Sequence, residues 1–374
     1  MNIKCEKYYS NEKFSCKDGY QGPEDGLPIK TVPYTILMHL KHQYCNMGCK
    51  YCVCDTSNID PKLLYSKYQS DYPKMLNLIK QTDEIRGTLN HHHRFEIFGG
   101  EPLYNLQAFK EIVEVLKQAY PTASFSTSTN GLVLANKQIV DYLIDNHITF
   151  QLSHDGLGEK YRANGIDPLD NQTIYSNVKL LAQKGLLSNI NCTLSQVNYS
   201  LLDNIKFWDS KLEEWGTPNI SIKLNHPYNA DYNIDFAFTD PIITARYFEE
   251  YAIVYILMKC NDNILKPYRR YILDEVERDT KKGKYSAICP SFQNYNRGNP
   301  SKQTWSFTIT TIGTYGECIL AERVENPGGA QPDYCDECIY KDYNGCKSCG
   351  SLNYPKVCLY NKMKMDLFTT LTNK

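Results

Sequence analysis

Three cysteines in the first part of the chain have types and spacing that suit a metal cluster. Cys45, Cys49 and Cys52 stand in the order Cys-x3-Cys-x2-Cys, directly after the apolar run 34–40. A cubane iron–sulfur cluster is usually held by four thiolates, so three ligands from one loop leave one iron free to bind something other than protein. We expect the chemistry at that free iron. A zinc site is the alternative, and it needs a fourth ligand such as Cys54.

The triplet, with Tyr51 before its last cysteine, resembles the cluster loop of the radical S-adenosylmethionine (SAM) enzymes. In that family the open iron chelates the amino and carboxylate groups of SAM, and the reduced [4Fe-4S] cluster cleaves SAM to a 5′-deoxyadenosyl radical. The radical takes hydrogen from the substrate, so the cofactor supplies the reactivity while the protein positions it. The resemblance thus implies an oxidoreductase.

The elements that must position this loop alternate along the chain. Short β-rich runs at 34–40, 94–98, 124–129, 149–153, 189–194 and 219–224 are separated by helical patterns, which predicts parallel βα units. Six units indicate an α/β fold, a partial TIM-like (β/α)6 barrel over residues 33–240, after an N-terminal segment 1–32. In such barrels functional groups gather in the loops after the C-terminal ends of the strands.

The loops after the second, third and fourth predicted strands carry polar or glycine-rich residues. In Gly99-Gly100-Glu101-Pro102 the glycines let backbone approach a ligand, and the resemblance implies that this loop receives the amino group of SAM. Turn formation is the alternative for the pairs Asn130-Gly131 and Asp155-Gly156 that follow. For Arg162 the alternative is an exposed position on a helix. The further SAM contacts implied by the resemblance are Tyr51, Ser128, Asn130, Ser153, Asp155 and Arg162, the last of which pairs with the SAM carboxylate.

The C-terminal part of the chain is rich in cysteine, with seven in residues 286–362: Cys289, Cys318, Cys335, Cys338, Cys346, Cys349 and Cys358. Their spacing resembles the SPASM domain, an extension of radical SAM enzymes that usually holds two auxiliary [4Fe-4S] clusters. By order, one cluster takes Cys335, Cys338, Cys346 and Cys358. The other takes Cys289, Cys318 and Cys349, and either it has an open position or it takes a further ligand, for which Cys260 is a candidate. Two Cys-x2-Cys pairs also suit zinc.

Around these cysteines the pattern predicts a small loop-rich domain. The run 305–310 followed by 312–318 predicts a hairpin bent at a glycine. Residues 241–285 form a helical bridge to this domain, and residues 363–374 form a C-terminal tail.

The bulk composition excludes some partners. Lys+Arg number 41 and Asp+Glu 42, a net charge of −1, which gives no electrostatic reason to expect nucleic acid or a membrane surface. We find neither a signal-peptide pattern nor an apolar run of about 20 residues, so we expect a cytoplasmic protein. In that compartment the 15 cysteines are expected to bind metal rather than to form disulfides.

The resemblance to SPASM enzymes implies a peptide or protein substrate. We expect maturation of a ribosomally made peptide by a thioether or carbon–carbon crosslink or another side-chain change. Formylglycine formation, as in anaerobic sulfatase-maturing enzymes, is the alternative, but the Asp that follows their hairpin cysteine is Ile319 here. A non-catalytic zinc or iron–sulfur module, or a redox sensor, is a second alternative.

No general base is assigned from the sequence. One implied partner is an electron donor such as flavodoxin or ferredoxin. The other is a separate peptide-recognition protein, because only the short segment 1–32 precedes the barrel.

Overall fold

The computed structural model describes residues 34–39, 44–52, 70–86, 92–163, 165–225, 238–261, 265–280, 306–310 and 355–372. Within these residues seven strands form one sheet, and all neighbouring strands run parallel. Their order across the sheet is β6-β5-β4-β3-β2-β1-β7. The strands are β1 (Tyr34–His39), β2 (His93–Phe98), β3 (Ser124–Thr129), β4 (Thr149–Ser153), β5 (Leu187–Thr193), β6 (Ser221–Asn225) and β7 (Ser306–Thr310).

Helices return the chain between successive parallel strands, as parallel pairing requires. The described helices are α1 (Tyr72–Arg86), α2 (Leu106–Ala119), α3 (Lys137–Asp145), α4 (Glu159–Arg162), α5 (Gln172–Gln183), α6 (Leu201–Trp215), α7 (Pro241–Cys260), α8 (Lys266–Asp279) and α9 (Pro355–Thr372). All six predicted strands are present, with ends that differ by no more than two residues. The predicted partial (β/α) barrel is therefore confirmed.

The two faces of the sheet differ in polarity. On β2, Phe95 and Ile97 are buried in the apolar core that also contains Phe109 and Leu116 of α2. The alternating positions of the same strand, Glu96 among them, are half-buried and lie on the opposite face. The helices thus cover the apolar face, and polar side chains line the inner face of the partial barrel.

The strand β7 has a partner that the sequence analysis does not predict. The run 305–310, predicted as the first half of a hairpin, is a strand, and Ser306–Thr310 pairs in parallel with β1, with Thr35 opposite Ser306 and His39 opposite Thr310. A local pattern with period two specifies a strand and leaves its partner open, because any sheet edge satisfies its backbone groups. The second half of the predicted hairpin, 312–318, lies outside the described residues.

Helices α7, α8 and α9 pack against one another. Tyr251 of α7 and Phe368 of α9 are buried with ring centroids 5.2 Å apart. Lys364 of α9 forms a buried ion pair with Asp279 of α8, with 2.8 Å between Nζ and Oδ2. No helix of the described ranges is long and apolar enough to cross a membrane.

Most of the C-terminal cysteines fall outside the described residues, so the auxiliary clusters and the predicted domain boundaries stay predictions. The one that falls inside is Cys358, in α9, a helix that also runs across the predicted boundary at residue 362. Those outside are Cys289, Cys318, Cys335, Cys338, Cys346 and Cys349.

Candidate active site

The cluster loop, residues 44–52, follows β1 at the C-terminal edge of the sheet. The side chains of Cys45, Cys49 and Cys52 are half-buried. Gly48 has a φ of +65°, which an L-residue with a side chain rarely adopts, and so lets the loop turn between the first two cysteines. Met47 is buried and anchors the loop to the protein.

Glu101 joins the cluster loop to the loops after β2 and β3. Its backbone N–H donates to the Tyr44 carbonyl at 2.8 Å. Its carboxylate accepts the backbone N–H of Asn130 at 2.7 Å and the Thr129 hydroxyl at 3.1 Å through Oε2, and the N–H of Leu103 at 3.3 Å through Oε1. Burial raises the pKa of Glu101 to about 7, against the effect of these hydrogen bonds.

The glycines before Glu101 have the conformation that a ligand-facing turn needs. Gly99 has a φ of +118° and Gly100 a φ of +54°, both in the region that favours glycine. Pro102 begins the short 3-10 helix Pro102–Tyr104 and, like Glu101, is buried. The Gly-Gly-Glu-Pro loop therefore presents backbone rather than side chains at this edge.

Asn130 contacts the cluster loop directly. Its side-chain Nδ2 lies 3.4 Å from Sγ of Cys45 and 2.9 Å from Oδ1 of Asn46, and donates to both. Burial raises the pKa of the Cys45 thiol to about 11, and the Asn130 hydrogen bond opposes that rise. Ser128, also predicted as a SAM contact, is half-buried near the end of β3.

Both carboxylate oxygens of Asp155 accept hydrogen bonds from protein groups. The hydroxyl of Tyr51 donates to Oδ2, and the backbone N–H of Thr193 donates to Oδ1 at 2.9 Å. Burial raises the pKa of Asp155 to about 6, although Arg162 favours the charged form. Asp155 therefore joins the cluster loop to the loops after β4 and β5.

Arg162 is buried beside the cluster loop and donates in several directions. Its Nε donates to Sγ of Cys49 at 3.0 Å. Its Nη1 donates to the Ser153 carbonyl at 2.7 Å and to Oε2 of Glu159 at 3.1 Å. Burial disfavours the guanidinium charge, but the acidic groups around it prevail and raise the pKa of Arg162 above its ordinary value. The carbonyl of Arg162 also accepts the Lys50 N–H at 3.0 Å.

Two residues that the sequence analysis did not assign support this arrangement. Glu159 Oε2 accepts the Asp155 backbone N–H at 2.6 Å and is fully buried next to Arg162. His154 is also fully buried; its Nδ1 accepts the Gly156 N–H at 3.0 Å, so its Nε2 is the nitrogen that donates to Asp167 at 2.9 Å. Their spacing within one loop gives no sign of these contacts, which depend on the fold.

Polar side chains form a connected chain on the inner face of the partial barrel. Gln151 of β4 donates through Nε2 to Oε1 of Glu96 on β2 at 2.5 Å. Its Oε1 accepts from the side-chain amides of Asn191 at 3.0 Å and Asn189 at 3.2 Å, both on β5. Burial raises the pKa of Glu96, while the positive charge of Arg94 and then that of Lys223 oppose the rise.

The residues present fit a cluster held by three thiolates. All three cysteines come from one loop, and two of their sulfurs accept N–H donors, as cluster-ligating thiolates commonly do. Within the described ranges, no three His, Cys, Asp or Glu side chains are grouped so as to hold a single metal ion. Cys45, Cys49 and Cys52 would hold the cluster, beside the loops after β2, β3 and β4.

The sheet, the cluster loop and the Gly-Gly-Glu-Pro loop together define a radical SAM domain. Residues 41–200 match the family model of the radical SAM superfamily, so this part of the chain is a radical SAM domain. Its cofactors are a [4Fe-4S] cluster and SAM, so residues 41–200 are the cofactor-binding part of an enzyme that uses SAM.

Among solved structures the chain is similar to the anaerobic sulfatase-maturing enzyme anSMEcpe. The structure described as native anSMEcpe with bound AdoMet has a TM-score of 0.59 and 16% sequence identity, covering 91% of this chain and 100% of that one. The structure with AdoMet and the Cp18Cys peptide has a TM-score of 0.57 and 15% identity, covering 90% of this chain and 96% of that one. At such identities the similarity shows the fold. No curated protein matches the sequence.

Proposed function

We propose that the chain is a peptide maturase, in which a SAM-derived radical removes hydrogen from a residue of a ribosomally made peptide. The observation that carries the proposal is the polar inner face of the partial barrel, where Glu96, Gln151 and Asn191 are linked by hydrogen bonds. Half-buried amide and carboxylate groups suit the backbone and polar side chains of a peptide, because each buried polar group of the substrate then finds a partner.

The similarity to peptide-bound structures supports the same substrate class. Two of the anSMEcpe structures hold a peptide together with AdoMet, the Cp18Cys and the Kp18Cys peptide. The present chain follows that fold over 90% and 91% of its length. A peptide that enters the barrel from the open end would reach the polar chain below the cluster loop.

The residues around the cluster loop bind and orient the cofactors. When bound, the cluster and SAM together supply a 5′-deoxyadenosyl radical. The exposed backbone of the Gly99-Gly100 turn would accept the SAM ammonium group, and Glu101 holds that turn against Asn130. Ser128 and Ser153 are half-buried at the ends of their strands, where they would reach the SAM ribose or carboxylate. Tyr51 and Asp155 join the loops that enclose the site.

We further propose that the C-terminal cysteines hold auxiliary clusters, because their number and spacing resemble those of the SPASM domain. In this assignment the cluster held by Cys289, Cys318 and Cys349 keeps an open position for substrate. Reduction of the SAM-binding cluster then needs an electron donor such as flavodoxin or ferredoxin. Selection of the precursor would rest on the barrel mouth, on the cysteine-rich C-terminal region or on a separate peptide-recognition protein.

Formylglycine formation is the second candidate, and the similarity to anSMEcpe favours it. Ile319, which follows Cys318, offers no base, and the nearby carboxylates are Glu317 and Glu322. We therefore place crosslinking or another side-chain change first.

Mass spectrometry distinguishes these reactions. The anaerobically purified, reduced chain is incubated with SAM and, separately, with the peptide encoded by a neighbouring short reading frame and with a sulfatase-derived peptide that contains cysteine. A crosslink removes two hydrogens and keeps the sulfur, whereas formylglycine formation from cysteine replaces sulfur by oxygen. A colourless, zinc-loaded chain that forms no 5′-deoxyadenosine would instead support a non-catalytic module.

A further inference from the structure

The guanidinium group of Arg162 is engaged by protein groups on every nitrogen. Nε donates to Sγ of Cys49 at 3.0 Å, Nη2 approaches Sδ of Met47 at 3.6 Å, and Nη1 binds the carbonyl of Ser153 at 2.7 Å. The side chain is only about 6% exposed. Arg162 thus faces the cluster loop through its contacts with Cys49 and Met47.

Three further contacts hold Arg162 in this orientation. Glu159, one turn earlier in α4, pairs with Nη1 at 3.1 Å. Asp155 lies 3.9 Å from the same nitrogen. The backbone N–H of Lys50, in the cluster loop, donates to the Arg162 carbonyl at 3.0 Å. Side chain and backbone of Arg162 therefore both contact the cluster loop.

Asn130 makes the equivalent contact from the other side. Its Nδ2 donates to Sγ of Cys45 at 3.4 Å, and its Oδ1 accepts the N–H of Leu132 at 2.9 Å, which fixes the direction of the amide. Two of the three cluster thiolates thus receive an N–H donor from a loop at the C-terminal edge of the sheet.

Hydrogen bonds to the ligating sulfurs and nearby positive charge affect an iron–sulfur cluster in a known direction. Reduction adds negative charge to the cluster and its thiolates, and N–H donors and a cation stabilise that added charge. Donors at the sulfurs therefore raise the reduction potential. A buried guanidinium is a stronger donor than a neutral amide because it is charged.

We propose that Arg162 and Asn130 are positioning residues for the cluster itself: their N–H donors to Cys49 and Cys45 seat the cluster loop and raise the reduction potential of the SAM-binding cluster. This inference depends on the radical SAM domain and not on the peptide substrate. Its test therefore needs neither substrate nor turnover.

The test is an EPR-monitored redox titration of the full, reconstituted chain without SAM. The signal of the SAM-binding cluster is identified by its absence from the Cys45→Ala/Cys49→Ala/Cys52→Ala variant. We compare Arg162→Gln, Arg162→Lys and Asn130→Ala with the wild type. Lys160→Met is the matched control, since Lys160 also lies in α4 and carries one positive charge but is exposed and paired with Asp170 at 2.8 Å.

We expect Arg162→Gln to lower the fraction of reduced cluster about tenfold at a fixed solution potential, a shift of about 59 mV for a one-electron couple. Arg162→Lys keeps the charge and should shift less, Asn130→Ala should shift in the same direction as Arg162→Gln, and Lys160→Met should not shift. If Arg162→Gln fails to bind iron, the reduction potentials of Arg162→Lys and Asn130→Ala test the inference instead.

Unchanged SAM-free potentials in the Arg162 and Asn130 variants would overturn the inference. A separate measurement of SAM affinity identifies the competing role. If Arg162→Gln loses SAM affinity at least tenfold while its SAM-free potential equals that of the wild type, Arg162 acts on the SAM carboxylate and not on the cluster. A loss of peptide modification alone would bear on the proposed function only.

Discussion

The backbone N–H of Asn130 donates to Oε2 of Glu101 at 2.7 Å, and Glu101 is only 4% exposed. The same carboxylate oxygen accepts the Thr129 hydroxyl, so one buried acid joins the loops after β2 and β3. Through its own N–H, Glu101 also binds the Tyr44 carbonyl before the first cluster cysteine. Glu101 is thus a structural link within the site as well as a candidate SAM contact.

Replacement of Glu101 by Ala should therefore destabilise the fold around the site. The buried N–H of Asn130 loses its acceptor, and a buried donor left without a hydrogen bond costs about 1–3 kcal/mol. Urea unfolding followed by circular dichroism measures the free energy of unfolding. Glu114→Ala, at an exposed position of α2, serves as the control and should change stability by less than about 0.5 kcal/mol. Equal effects of the two substitutions would contradict the structural role.

The three cysteines of the cluster loop should be required together for iron binding and SAM cleavage. The Cys45→Ala/Cys49→Ala/Cys52→Ala variant should lose about four irons per chain and form no 5′-deoxyadenosine, because a cubane cluster holds four irons. Iron assay and chromatography of the nucleoside give the two readouts. Cys260→Ala removes an exposed cysteine at the end of α7 and should keep both. If the triple variant still formed 5′-deoxyadenosine, the active cluster would lie elsewhere.

Gln151 should contribute to peptide binding, because it connects Glu96 to Asn191 and Asn189 across the inner face. Gln151→Leu keeps a similar volume and removes the hydrogen-bonding groups. At about 1 kcal/mol for one hydrogen bond lost to the peptide, we expect KM for the peptide to rise roughly fivefold. Initial rates over a range of peptide concentration provide the measurement, and Gln118→Leu on the exposed side of α2 is the matched control. An unaltered KM in Gln151→Leu would remove the inner face from substrate binding.

Glu96 should make a measurable contribution to the pH dependence of stability. Burial raises its folded-state pKa above the ordinary value of 4.5, so the folded protein binds the proton more tightly than the unfolded chain. The stabilisation from Glu96 is therefore fully present below pH 4.5 and is lost as pH rises through the raised folded-state pKa. Glu96→Gln cannot titrate. The free energies of unfolding of wild type and variant are measured by urea titration at several pH values. The wild type should lose stability relative to Glu96→Gln as pH rises, and a pH-independent difference would contradict this prediction.

The sequence predicts the barrel well because its signals are local. The alternation of short apolar runs with helical stripes locates all six predicted strands, and the position of a loop after a strand places Cys45, Glu101 and Asp155 at one edge of the sheet. Parallel strands require this arrangement whatever the neighbouring side chains are.

The sequence does not predict which residues contact one another at that edge of the sheet. The residues Arg162 and Cys49 are far apart in sequence, and their contact depends on the short helix α4 turning back toward the cluster loop. The parallel pairing of β7 with β1 is likewise a long-range choice that a local strand pattern leaves open. The family resemblance assigns Arg162 to the SAM carboxylate, and only the three-dimensional contacts suggest a role toward the cluster.

The ion pair between Lys364 and Asp279 should determine how firmly α9 is held against α8. Both side chains are at least nine-tenths buried, so removal of one partner leaves the other charge in the interior without this ion pair. We expect Lys364→Met to lower the free energy of unfolding by about 3–5 kcal/mol and the double variant Lys364→Met/Asp279→Leu to recover much of that loss, because buried ion pairs are often replaceable by apolar pairs. Thermal and urea unfolding of the wild type, Lys364→Met, Asp279→Leu and the double variant form a double-mutant cycle. Lys206→Met, in an exposed pair with Asp203, is the control and should cost less than about 1 kcal/mol. If the double variant were as unstable as the sum of its single changes, the two side chains would act independently and the helices would be joined by their apolar contacts alone.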